Sequence, residues 1–171
     1  VLFFYTSLYS CATCLLMIPT VEVDIDLQID NKQLTNIHVK WVFSDVYSNE
    51  IVKQYDKNRN GKLDEKELKK IMQAKLDYLI PKKMLTELEY ASYDDTHSKD
   101  VPVEYKNFHL IMDGEILVFS YDSIVDLHIE DKFSLSFLFR DDESFFRFMV
   151  DSVKTNTKEL HFDANLYLFT A

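Results

Sequence analysis

Glycine is almost missing from this chain. Only two of its 171 residues are glycine, too few for the Gly-rich loops that cradle phosphate, so P-loop and dinucleotide-fingerprint chemistry is excluded. Cysteine is as scarce. Cys11 and Cys14 are the whole supply, and without a second pair there is no four-cysteine zinc cluster and no disulfide framework. Basic residues are outnumbered, with 19 Lys and Arg against 29 Asp and Glu and a net charge of −10. Nucleic acid and anionic membrane surfaces both call for a basic face, so neither is expected as a partner. There is no Gly-x-Ser-x-Gly and no His-Glu-x-x-His. The acidic pairs Asp94-Asp95 and Asp141-Asp142 fall in polar turns. The chain therefore reads as non-enzymatic. What remains is 47% hydrophobic and 14% aromatic, enough to bury the core of a single domain.

One of the two glycines sits at the only position of a motif that requires it. Residues 56–67 read Asp-Lys-Asn-Arg-Asn-Gly-Lys-Leu-Asp-Glu-Lys-Glu. Calcium takes six to eight oxygen ligands, and an EF-hand loop supplies them from positions 1, 3, 5, 7, 9 and 12 around a sharp turn at position 6. Those positions are Asp56, Asn58, Asn60, Lys62 (through its carbonyl), Asp64 (through a water) and Glu67, with Gly61 at the turn. Val46, Tyr47, Ile51, Val52 and Tyr55 recur at helical spacing before the loop. Leu68, Ile71, Met72, Leu76, Leu79 and Ile80 do so after it, up to Pro81. Asp64 and Glu67 stand at the two positions of a capping box. The unit is thus a helix–loop–helix at about 44–80.

EF-hands usually pair across a short strand at position 8, here Leu63. The one candidate partner, 94–105, has Lys99 where glycine belongs and Tyr105 where glutamate belongs, and is rejected. An unpaired loop with two neutral Asn ligands and the cations Lys57, Arg59, Lys62 and Lys66 predicts weak binding, with a Kd of ~10⁻⁴–10⁻³ M. At about 1 mM calcium that stabilises the fold by only ~0.4–1.4 kcal/mol. A fast cytosolic sensor is not expected.

The rest of the chain reads as strands. Val21, Val23, Ile25, Leu27 and Ile29 alternate with polar residues, Asn31-Lys32 turns the chain, and Ile37, Val39, Trp41 and Phe43 face the core. Asp113-Gly114 signals a hairpin between 107–112 and 115–121. Further strands are expected around Val125–Ile129, Leu135–Phe139, Phe145–Val150 and Leu160–Phe169, and a mobile loop over Ser92–Val101. The fold class is α+β: a mainly antiparallel sheet or sandwich with the helix–loop–helix inserted between its second and third strands.

The first 21 residues carry no charge. Residues 1–18 read as the hydrophobic region of a secretory signal lacking its basic start, ahead of one domain at 19–171. Membrane anchoring, lipid attachment near Cys11 and a genuine core element are the alternatives. In such a segment Cys11 and Cys14 are ordinary apolar filler rather than a redox pair. His38, His128 and His161 each fall on the polar face of an expected strand, which raises a second reading as a transition-metal binding or delivery protein.

The order of these features resembles a family of exported bacterial proteins described as periplasmic-component-like proteins of ABC-type transport systems. The resemblance spans about residues 19–170. It rests on Trp41-Val-Phe43-Ser44-Asp45-Val46-Tyr47-Ser48 after a first strand, on the loop that follows, and on Glu143-Ser-Phe145-Phe146. It implies export to the periplasm and an accessory role beside a membrane transporter, often one for nickel, cobalt or zinc. Family members begin the mature chain with His-Pro-His. Here Ile18-Pro19-Thr20 stands instead, which implies that any metal site built on those histidines is lost.

Overall fold

The computed structural model describes residues 18–156, apart from 94 and 131. The expected signal segment, Cys11, Cys14, the strand at 160–169 and His161 lie outside the described residues. Among the described residues, eight strands and two helices follow in the order β1 (Thr20–Asp30), β2 (Gln33–Phe43), α1 (Asp45–Tyr55), α2 (Glu65–Leu79), β3 (Thr86–Ser92), β4 (Lys99–Asp100), β5 (Glu104–Asp113), β6 (Ile116–His128), β7 (Phe133–Phe139) and β8 (Arg147–Thr155), with a 3-10 segment at Ile80–Leu85. They build a five-stranded sheet, β5-β6-β2-β1-β8, and a three-stranded sheet, β4-β3-β7.

The β1–β2 hairpin forms for the reason its alternation gives. Val21, Val23, Ile25 and Leu27 are buried on one face, opposite Phe43, Trp41, Val39 and Ile37 of β2. Asn31 and Lys32 both take positive φ (49° and 61°), the pair of left-handed residues that a tight hairpin turn demands. In the second hairpin Asp113 pairs with Ile116, so the turn is Gly114-Glu115 and not Asp113-Gly114. Gly114 takes φ +62° at its first position. The expected strand at Val125–Ile129 is the far end of β6, which continues through it to His128.

Two features depart from expectation. The sheet is mixed, because β8 runs parallel to β1 from Thr20↔Arg147 to Leu27↔Thr155, while the other pairings are antiparallel. Alternation cannot reveal strand direction, since it only assigns faces. The segment 92–101 is also not all loop: β4 pairs with Glu89 and Tyr90 of β3.

One core joins both sheets and the helices. Trp41 is fully buried and meets Phe119 and Tyr121 edge-on at 5.6 and 5.9 Å, and Phe148 at 5.0 Å. Such ring pairs contribute ~0.5–1.5 kcal/mol each beyond their burial. Around them lie Ile51 of α1, Ile71 and Leu79 of α2, and Leu88 of β3. Among the described residues no helix is long and apolar enough to cross a membrane.

Candidate functional site

The helix–loop–helix is fastened to the sheet before the loop begins. Ser44 caps α1, its hydroxyl accepting from the Tyr47 amide at 3.4 Å. Ser48 is fully buried; its hydroxyl donates to the Ser44 carbonyl at 2.8 Å and accepts from the Leu117 amide of β6 at 2.9 Å. A serine within α1 thus satisfies a backbone group of the sheet.

Between the helices the chain folds around its own side-chain oxygens. Asp56 accepts from the Asn60 amide at 3.2 Å through Oδ1 and from the Gly61 amide at 2.7 Å through Oδ2. Asn58 Oδ1 accepts from the Asn60 amide at 3.0 Å, and Asn60 Oδ1 from the Lys62 amide at 2.9 Å. Gly61 has φ +79°, the left-handed conformation that glycine adopts without strain. Asp64 caps α2, accepting from the Lys66 and Glu67 amides at 2.8 and 2.9 Å. Glu67 is 95% buried: Oε2 accepts from the Asp64 amide at 2.9 Å, completing the capping box, and Oε1 reaches back to the Lys57 amide at 2.7 Å. Glu67 therefore ties the first turn of α2 to the second residue of the loop.

Five of the six sequence-predicted positions are thereby engaged in one closed loop, and Lys62 takes part through its backbone amide. The donors are all oxygen, which suits a hard divalent cation and not a soft one. The side-chain oxygens of Asp56, Asn58 and Asn60 each accept one or two amides and keep lone pairs free. Among the described residues, no three His, Cys, Asp or Glu side chains converge to hold a metal on their own. Any ion here would depend on Asn58, Asn60 and backbone carbonyl oxygen as well as on carboxylates.

Of the described histidines named from the sequence, His38 and His128 are not brought together. His38 Nδ1 lies 2.7 Å from Asp122 Oδ1, whereas His128 pairs in register with Gln33, five residues back along β2. Strand rise puts those two positions about 16 Å apart.

Sequence reasoning missed a second cluster, beside the loop. Lys75 of α2 is buried. It occupies the helical stripe Ile71–Lys75–Leu79, and a lysine at an apolar stripe position was the available signal. Its Nζ donates to the Tyr47 hydroxyl at 3.1 Å and stands over the rings of Phe43 (4.2 Å), Tyr47 (5.0 Å) and Phe146 (5.4 Å). Burial pulls its ammonium down to about 7, while the rings favour the charged form. Burial likewise pushes the Tyr47 hydroxyl up to about 12, with Tyr55 adding to it. Asp141, placed by the sequence in a polar turn, anchors the turn that carries Phe146. Its Oδ2 accepts from the Phe145 and Phe146 amides at 2.8 and 3.0 Å, and Oδ1 from the Tyr78 hydroxyl at 3.1 Å.

No curated protein and no solved structure matches the chain. A family model matches residues 20–165, which take in both sheets, the loop and the Lys75 cluster. The chain belongs to the family described as Protein of unknown function (DUF1007).

Proposed function

We propose that this protein is a non-enzymatic calcium-binding accessory module, exported and acting beside a membrane transport system. Its one low-affinity site, at Asp56, Asn58, Asn60, Lys62, Asp64 and Glu67, serves to stabilise the fold. The observation that carries the calcium reading is the closure of the loop on its own oxygens. Asp56, Asn58 and Asn60 are held on one tight turn by backbone amides, with Gly61 in the left-handed conformation the turn needs. This is the preorganisation that lets oxygen ligands gather a cation without first ordering the chain. The accessory and export parts rest on the resemblance of Trp41–Ser48 and of 143–146 to periplasmic transport-associated proteins.

Calorimetric titration of chelator-stripped protein with calcium tests the site. One-to-one binding with a Kd of ~10⁻⁴–10⁻³ M is expected, with magnesium weaker. Heat indistinguishable from dilution up to ten millimolar calcium would remove the reading.

A further inference from the structure

Beside the loop, α1, α2 and the 141–146 turn enclose a partly open cavity of about 290 Å³, at the small end of ligand pockets, which run about 300–1,000 Å³. Its walls are apolar and aromatic, from Ile51, Tyr55, Ile71, Tyr78 and Phe145, and Lys75 lines it with Tyr47. A buried ammonium is ordinarily paired with a carboxylate. Lys75 has no such partner among the described residues. Its three N–H groups find one acceptor, the Tyr47 hydroxyl; ring faces attract the charge but accept poorly.

The groups around it explain why no counter-ion is supplied from within. From α1 come the phenols Tyr47 and Tyr55, and from α2 the phenol Tyr78. The carboxylates of the 141–146 turn are engaged elsewhere: Asp141 by Tyr78 and three backbone amides, and Glu143 by Lys82. The cavity thus offers a cation that has no carboxylate partner among the described residues, on a protein whose net charge of −10 disfavours anions at the general surface.

We propose that this cavity binds a small, largely apolar carboxylate whose carboxyl group pairs with Lys75 and whose hydrocarbon or aromatic body lies against Ile51, Ile71, Tyr78 and Phe145. The cavity admits one small acid, and an unpaired amine inside it discriminates against the neutral amide of the same shape. The ligand is ionised at and above neutrality, whereas the Lys75 ammonium loses its proton from about pH 7 upward. Binding is therefore tighter at mildly acid than at mildly alkaline pH and takes up protons near neutrality.

The test is a panel of carboxylates from acetate through hexanoate and phenylacetate to indole-3-acetate, each with its primary amide. The panel is titrated calorimetrically into native and Lys75→Met protein, with calcium and with chelator. At least one acid is expected to bind native protein about tenfold or more tighter than its amide, the worth of a hydrogen bond to a charged group, and to lose that advantage in Lys75→Met. Nitrogen-15 NMR of the native Lys75 amine, which needs no variant, should report the same acid by a saturable shift of Nζ. The proposal is overturned if no acid binds saturably at millimolar concentration, if acid and amide bind alike, or if the Nζ resonance does not move. Failure of calcium to bind leaves these outcomes unchanged, because the chelator arm reads the cavity alone.

Discussion

Replacing Glu67 by Gln separates the two roles that this side chain can have, capping box and calcium ligand. Glu67 is 95% buried and its two oxygens accept from the Lys57 and Asp64 amides. Gln keeps one acceptor and turns an NH2 group toward the other amide. In chelator the variant therefore loses one hydrogen bond to a charged group, about 1–3 kcal/mol, or roughly 2–12 °C in Tm for a domain of this size. Calcium adds a separate, concentration-dependent increment. With a Kd of ~10⁻⁴–10⁻³ M, native protein gains ~0.4–1.4 kcal/mol at about 1 mM calcium and ~1.4–2.7 kcal/mol at about 10 mM. That is roughly 1–6 °C and then 3–11 °C. Thermal melts followed by circular dichroism, in chelator and across that calcium series, read both quantities. The expected pattern is a lower Tm for Glu67→Gln in chelator and a flat response to calcium. A calcium increment that survives in the variant, or native protein whose Tm is flat across the series, would refute the ligand role and leave a capping box alone.

Three further outcomes follow from the geometry. Ser48→Ala strands the buried Leu117 amide, whose acceptor is the Ser48 hydroxyl at 2.9 Å; it should cost ~1–3 kcal/mol, seen as a lower urea midpoint with an unchanged slope. Gly61→Ala meets no atom within 4 Å but must hold φ +79°, so it should lose ~1–2 kcal/mol of backbone origin in chelator and weaken calcium binding in calorimetry. Lys75→Met should stabilise the protein by ~1–4 kcal/mol near neutral pH and below, as a buried charge gives way to an apolar chain of similar length. The sign of its pH dependence is fixed. The folded ammonium titrates at about 7, below its ordinary 10.5, so between those values the unfolded chain binds the extra proton and native stability rises with pH. The advantage of the variant is therefore full below pH 7 and shrinks toward pH 10, which urea titrations at several pH values would check.

Sequence periodicity carried most of this fold because one face of each main strand is dry. Val21–Leu27 and Ile37–Phe43 alternate without interruption, and the structure buries the residues that the alternation assigns to the core. β3 was passed over because Thr86–Ser92 offers only Leu88 and Tyr90 as large apolar residues, too few to stand out beside a polar loop. The parallel seating of β8 on β1 was out of reach. It is decided by where a strand at 147 finds an open edge, and alternation does not encode which edge that is. In the loop, spacing alone named the residues that close the turn. The Lys75 cavity was hidden for the opposite reason. Its parts lie at 43–55, 71–79 and 145–146, and no local pattern joins them; only a lysine at a buried stripe position hinted that something there needed a partner.

The lone loop also shows why calcium should not act as a conformational switch here. In paired hands the position-8 residue meets its counterpart in a second loop. Leu63, at the eighth residue of this loop, is instead 91% buried in the domain core. Ile71 and Leu79 of α2 are 2% and 1% exposed. Swinging α2 away from α1, as sensors do, would expose these three side chains at about 1.5–3 kcal/mol each, in addition to breaking the Tyr47–Lys75 contact between the helices. A ligand can shift an equilibrium only by the difference in its affinity for the two states. The ~0.4–1.4 kcal/mol available from a weak site at about 1 mM calcium is several-fold too small to offset that exposure. Calcium at Asp56–Glu67 would therefore tighten an arrangement that the core already dictates, and nuclear Overhauser contacts between α1 and α2 should be the same with calcium and with chelator.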